Sequence, residues 1–394
     1  MQYRIYSKKT LSYIDSGYVN PNNINIDDDY LICNNSIFSI LKPTKAIAGD
    51  IVVLIKDSGP YHKGVITAVD NEDLTISYKD VKEMFNNNIL NPFRDKYIDN
   101  KNFVGKFTNL SLNVAVMIND NFVKTIDSEL NLPIKYYEFQ GSTEALWKYS
   151  DNQINFKDFL IDMFNSYNMI VDFDIDFDID NQNENPSTII QLKIVNKTGA
   201  IIKDNMGIGK FIYEETSLPD KTVCILLDNS TKEELARYYL KVDNTVTKDV
   251  NDLERALPAR YVAVEYSDPN DSTAGNIGDL YINGQKVEVT QNPSTPTTSE
   301  EELEKNYELT AKDTLCGSSY YQLVQLEINR DTKMINFDYM KIGTSVEIVN
   351  EQGTISTIYT GRKEKSGANY ITLMFGKSRK NYTDKIQLEL RRKK

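Results

Sequence analysis

The residue with the most chemical scope in this sequence is its single histidine, His62. Zinc sites of the HExxH type and Ser–His–Asp or Cys–His catalytic arrangements all need an imidazole at a defined spacing from its partners. His62 lies in SGPYHKG, with no cysteine and no acidic cluster near it in sequence, so the expectation is a solvent-facing turn histidine without a catalytic role. A second candidate is the run 168-NMIVDFDIDFDID, where Asp172, Asp174, Asp176, Asp178 and Asp180 alternate with apolar residues. In a strand this alternation puts all five carboxylates on one face. The run lacks the glycine and closing glutamate of an EF-hand loop, and carboxylates ~6.6 Å apart along a strand do not converge on one ion. It reads either as the solvated face of a half-buried strand or as an acidic channel wall.

Two glycine motifs fall short of nucleotide binding. Gly207-Ile208-Gly209 has no third glycine at the required spacing, and Gly376-Lys377-Ser378 has Ile371 where a phosphate loop starts with glycine. Cys33, Cys224 and Cys316 are far apart, odd in number and match no metal spacing, so neither a disulfide framework nor a zinc site is expected. No pair of acidic residues stands out for glycoside hydrolysis. The reading is therefore of a chain with no catalytic, cofactor-binding or metal site, and not an enzyme.

The elements that would carry these residues are mostly strands. The 394 residues allow two or three domains, and 40% hydrophobic content is enough to bury their cores. Tyr is abundant at 25 and Phe at 15, beside 1 Trp, a composition that favours strands separated by Asn- and Asp-rich turns. The fold class expected is mainly β (β-rich α+β). Segments 3-YRIY, 29-DYLICNN, 37-IFSILKP, 49-GDIVVLIKD, 63-KGVITAVD and 73-DLTISYKD predict the strands of a barrel or sandwich over residues 1–98. Residues 99–167 predict an α/β insertion, in which Phe156, Phe159, Leu160, Met163 and Phe164 form a helical stripe. Residues 168–394 predict a second β-rich domain. Within it, 230-STKEELARYYL predicts a helix with Ser230 and Glu233 as a capping box, and Ser299 with Glu302 predicts another. The Pro-, Ser- and Thr-rich stretch 291–300 predicts an exposed loop.

A net charge of −12 disfavours tight binding to phosphate backbones. The N-terminus has no secretory h-region and no run reaches ~18 apolar residues, so neither a signal peptide nor stable membrane insertion is expected.

The run 237-RYYLKVDNTVTKDVNDLERALPARYVAVEY resembles a tail-protein signature of phages and prophages of Gram-positive hosts. Tyr238, Tyr239, Leu240, Asp243, Thr245, Val246, Thr247, Asp249, Asp252, Arg255 and Pro258 fit it, with Asn244 replacing the usual glycine. Further on, Tyr321, Leu323, Val324, Leu326, Ile328, Asp331 and Lys333 match, followed by Ile342, Gly343, Val346, Ile348, Thr360 and Gly361. Ile371, Leu373, Phe375, Gly376, Arg379, Thr383, Asp384, Lys385 and Ile386 complete the pattern. The chain thus resembles the siphophage tail hub family, which is similar to the N-terminal module of tail-associated lysins and to the baseplate hub of T-even phages.

That resemblance implies two tube-like β-barrel domains with small insertions. It also implies a homotrimer forming a ring that continues the tail tube, with the distal tail protein above and a spike, fibre or lysin below. DNA would pass through transiently, and the protein, made in the host cytoplasm, would reside at the virion tail tip. Because the sequence ends soon after Ile386, no attached lysin is expected. The alternative function is a receptor-binding module for host cell-wall polysaccharide.

Overall fold

The computed structural model describes residues 1–56, 59–93, 105–123, 132, 136–139, 144–147, 149, 151–167, 169–176, 187–194, 200–203, 206, 208–215, 221–242, 245–266, 280–282, 285–287, 299–316, 322–332, 334–335, 340–351 and 353–377. Six strands open the chain: β1 (Gln2–Tyr6), β2 (Tyr13–Asp29), β3 (Ser36–Ile40), β4 (Ile51–Lys56), β5 (Gly59–Asp70) and β6 (Thr75–Asp80). They are ordered β1-β4-β5-β6-β3-β2, and β2 pairs back onto β1, closing an antiparallel barrel with no free edge. Alternate residues of each strand point inward, and Tyr3, Ile5, Ile26, Phe38, Val52, Leu54, Ile66 and Ile76 fill the barrel. The unbroken run IVVLI in β4 follows from burial on both faces. Val52 and Leu54 point into the barrel, while Ile51, Val53 and Ile55 belong to a second core outside it.

One strand lies outside the segments that the sequence reading offered. The segment 29-DYLICNN is not a strand; β2 instead runs through the Asn- and Pro-rich stretch before it and ends at Asp29. Its register on β3 shifts between Val19 and Ile24, an irregularity that accommodates Pro21.

The described residues between 81 and 167 pack on the outside of this barrel. Strand Asn88–Leu90 pairs with Gln153–Asn155, and Gly105–Phe107 pairs with Ala145–Trp147. Helix α1 (Leu110–Ile118) starts where Asn109 Oδ1 accepts from the Leu112 amide at 3.1 Å, and each of its residues is buried. Helix α2 (Phe156–Tyr167) lies where its stripe predicts, but it is buried on two sides. Phe156, Phe159, Leu160 and Met163 join the core against β4, while Ile161 and Phe164 pack with Tyr30, Ile170 and Ile358. Rings of Phe93, Phe107, Trp147 and Phe159 stack at centroid distances of 5.2–5.7 Å.

A second six-stranded sheet has the order Ala200–Lys203, Ser345–Asn350, Gly353–Lys365, Tyr370–Lys377, Gln322–Asn329, Ile208–Glu215. It encloses its own core of Val324, Leu326, Ile328, Val346, Ile348, Tyr359, Ile371, Leu373 and Phe375. It is continuous with the barrel, because Asn25–Asp29 of β2 pairs antiparallel with Gly361–Lys365.

A separate four-stranded sheet holds Val223–Asp228, Glu234–Leu240, Val246–Thr247 and Tyr261–Tyr266 and is covered by helix α3 (Glu300–Leu315). The Ser299 cap of α3 is as expected: its Oγ accepts from the Glu302 amide at 3.2 Å. The helix predicted from Ser230 is instead the strand Glu234–Leu240. The Asp228 carboxylate takes the Ser230 amide, the Ser230 hydroxyl and the Thr231 amide at 2.6–2.8 Å, which makes a turn of the would-be cap. Ala236, Tyr238 and Leu240 then alternate inward with strand periodicity. Among the described residues, no helix is long and apolar enough to cross a membrane.

Candidate functional site

The densest group of buried charges lies where the barrel meets the second sheet. Four elements supply it: Asp27 and Asp28 near the end of β2, Tyr61 and His62 on β5, Asp80 and Lys82 around the end of β6, and Arg362 and Glu364 on the strand Gly353–Lys365. The two sheets approach so closely here that a Cβ on residue 361 would lie 1.8 Å from the Asp28 carbonyl oxygen, so only glycine fits. Gly361 is one of the residues carrying the family resemblance. A second, Gly376, is in the same position with φ +114°, where a Cβ would meet the Gln322 carbonyl at 1.8 Å. The glycine of the GKS triplet thus serves a close strand crossing.

Contrary to the sequence reading, His62 is not on a surface turn. It sits within β5, 6% exposed, with its ring edge-on to Tyr78 at 5.4 Å. Its Nε2 is 3.4 Å from Asp28 Oδ2, and neither ring nitrogen makes a hydrogen bond. Lys82 donates to Asp80 Oδ1 at 2.9 Å and lies 4.7 Å from the Tyr30 ring centre. Arg362 stacks on Tyr61 at 4.4 Å, and the Tyr61 hydroxyl donates to Glu364, which also pairs with Arg330 at 3.1 Å. Lys363 pairs with Asp27 at 2.9 Å across the same junction.

Asp28, Lys82 and Arg362 are held ionised by their neighbours. Burial alone would raise the pKa of Asp28, but His62, Lys82 and Arg362 outweigh it and hold the carboxyl well below the usual range. Burial opposes the charged form of Lys82, yet Asp80, Cys33 and Asp28 push its ammonium above its ordinary value. Arg362 is likewise raised against burial by Tyr61, Tyr359, Asp28 and Glu364. These groups open onto a cavity of about 240 Å3 between the barrel, Ile170–Val171 and the Met340–Ile342 loop. Among the described residues, its lining includes no serine, threonine or cysteine. The chemistry on offer is ionic cross-linking of two sheets.

Sequence reasoning missed this cluster because Asp28, His62 and Asp80 come together only through barrel closure. The five-aspartate run is only partly covered. Its strand, Met169–Asp176, pairs antiparallel with Ser187–Ile194, and Met169, Ile170 and Val171 are buried. The strand backbone carries Asp172, Asp174 and Asp176, while Asp178 and Asp180 lie outside the described residues. Gly207, the loop around 291–298 and the end of the C-terminal signature, from Ser378 on, also lie outside them.

The signature near residue 240 stabilises its own loop. Tyr239 stacks on Arg255 at 5.2 Å, and Lys241 bridges Asp252 at 3.7 Å and Glu254 at 2.7 Å. Tyr238 donates to Glu304 of α3 at 2.9 Å, tying sheet to helix.

No protein-family model and no curated protein matches this sequence. Among solved structures, the prophage tail protein gp18 from Listeria monocytogenes EGD-e is similar with a TM-score of 0.49 and 10% identity over 100% of both chains. A chain of the p2 virion baseplate in its activated conformation has a TM-score of 0.46 and 10% identity, covering 96% of this chain and 100% of its own. The 43 kDa tail protein of prophage MuSo2 from Shewanella oneidensis has a TM-score of 0.46 and 10% identity, over 95% of this chain and 96% of that one. Likeness at this level transfers no residue roles.

Proposed function

We propose that this chain is a structural hub of a phage tail tip or baseplate. Three copies would form a ring that continues the tail tube, contacts the distal tail protein on one side and a spike, fibre or lysin on the other, and lets DNA pass. The observation that carries this reading is the junction at Gly361. There a closed barrel and a second six-stranded sheet become one continuous wall, at a residue belonging to the signature of tail hub proteins. Fusing two β-bodies edge to edge in one chain is what a tube subunit needs if each copy fills two positions around a ring. The net charge of −12 suits a passage that DNA must not adhere to. No catalytic step belongs to this reading, and clearing of host cell walls by the purified chain in a zymogram would contradict it. Gold-labelled antibody against the chain should decorate intact particles at the distal end of the tail; label on the capsid or along the tail shaft would overturn the assignment.

One observation favours a second role. Tyr13 and Tyr18 are 49% and 61% exposed and, with Arg4 and Ser16, rim a depression on the outside of β1 and β2. Exposed aromatic faces beside polar donors suit a cell-wall polysaccharide. Binding of the purified chain to host wall polysaccharide, lost in Tyr18→Ala, would support receptor recognition; unchanged binding in that variant would sink it.

A further inference from the structure

We propose that Asp28, His62 and Asp80 form a binding site for a divalent first-row transition metal ion at the barrel–sheet junction. The inference does not rest on the tail reading; it stands on the geometry of the cavity alone. One ligand atom from each of the three side chains lies within 4.8 Å of the other two. Metal–ligand distances of about 2.0–2.2 Å allow donors of one ion to be about 4.4 Å apart at most, so the cluster closes with a side-chain adjustment of about 1 Å or less.

The independent observation is His62 itself. Both ring nitrogens are buried without a hydrogen bond, as is Asp28 Oδ1, and these groups line the cavity. A buried imidazole in that state costs free energy unless something occupies its lone pair. The Lys82 amide and the Lys82 ammonium both use Asp80 Oδ1, so Oδ2 is taken by neither. The cavity, at about 240 Å3, has room for the waters that would complete the coordination shell.

The donor set selects the class of ion. One imidazole with two carboxylates suits Zn2+, Mn2+, Fe2+ or Co2+, whereas Ca2+ and Mg2+ prefer shells made only of oxygen. Lys82 and Arg362 set the affinity, because their fixed positive charges oppose an arriving cation and the Lys82 ammonium already holds Asp80. A metal takes Asp80 through Oδ2 and competes there with the charge of the Lys82 ammonium. Lys82→Met removes that competitor and is expected to tighten binding by about ten-fold.

The single histidine makes the test unambiguous, since ring-15N labelling reports on His62 alone. Titrating the full, untagged chain with Zn2+ should shift one imidazole nitrogen and saturate at one equivalent. Asp80→Asn, or Asp28→Asn if the first variant does not fold, should abolish that shift, and Lys82→Met should bring saturation at lower Zn2+. Imidazole signals unmoved by millimolar Zn2+ in the wild-type chain, or an equal shift in the asparagine variants, would overturn the site.

Discussion

The first barrel is joined to the rest of the molecule in two chemically opposite ways. On one side β4 presents Ile51, Val53 and Ile55 to an aromatic core shared with α1 and α2. On the other, β2 and β5 meet the second sheet through Asp28, His62, Tyr61, Arg362 and Glu364. Apolar packing is non-directional and tolerates volume-conserving change. Buried ion pairs add little net stability, but they penalise any misalignment that leaves a charge without its partner. The insertion is held on by buried area, whereas the second sheet is held by a strand ladder reinforced by buried charge. A wall that must keep a fixed geometry between two bodies needs the second kind of contact.

The largest effect should come from the aromatic side. Phe159→Ala removes a fully buried ring and is expected to cost about 3–5 kcal/mol, while Phe159→Leu, which keeps more of the apolar volume, should cost clearly less. Urea unfolding midpoints measure both, and equal losses would contradict a tolerant core.

The ionic side should behave differently. Arg362→Met removes a buried cation that balances Asp28 and Glu364, at a cost of about 3 kcal/mol, and adding Glu364→Gln should return part of it. Strict additivity in that double-variant cycle would show that the charges do not act as one network.

A smaller effect tests a contact that spans both kinds of region. Glu83 accepts from Lys157 of α2 at 3.1 Å, and Asn86 and Lys79 also reach it. Burial opposes its ionised form, but Asn86, Lys157 and Lys79 prevail and lower its pKa. A depressed carboxyl contributes stability above its unfolded value of about 4.3 and loses it as pH falls through the folded value. Glu83→Gln should therefore flatten the stability profile below about pH 4 by no more than about 1 kcal/mol. An unchanged acid limb would remove Glu83 from the account.

Most of the barrel is legible in the sequence because its strands alternate and are bounded by Asn, Asp and Gly turns. Helix α3 is legible from its cap, Ser299, with Glu302 three residues on. Two local signals mislead. The Ser230 box is overridden by Asp228, which captures the same donors one step upstream, and by the inward alternation of Ala236, Tyr238 and Leu240. The Asn–Pro stretch of β2 looks like a turn because a strand bent by a register shift tolerates turn residues. The charged junction was illegible for a different reason. Asp28, His62, Asp80 and Arg362 share no sequence window, and pairing of β2 with Gly361–Lys365 brings the first and last parts of the chain together. Local pattern carries no information about such a contact; only the glycine at 361 hinted at it.

The central claim is that barrel and second sheet form one segment of a tube wall. A reconstruction of the tail tip from intact particles tests it most directly. The account predicts three copies in a closed ring at the tail end, each contributing its barrel and its second sheet side by side around a continuous lumen. A single copy, or copies placed outside the lumen with the two sheets separated, would contradict it.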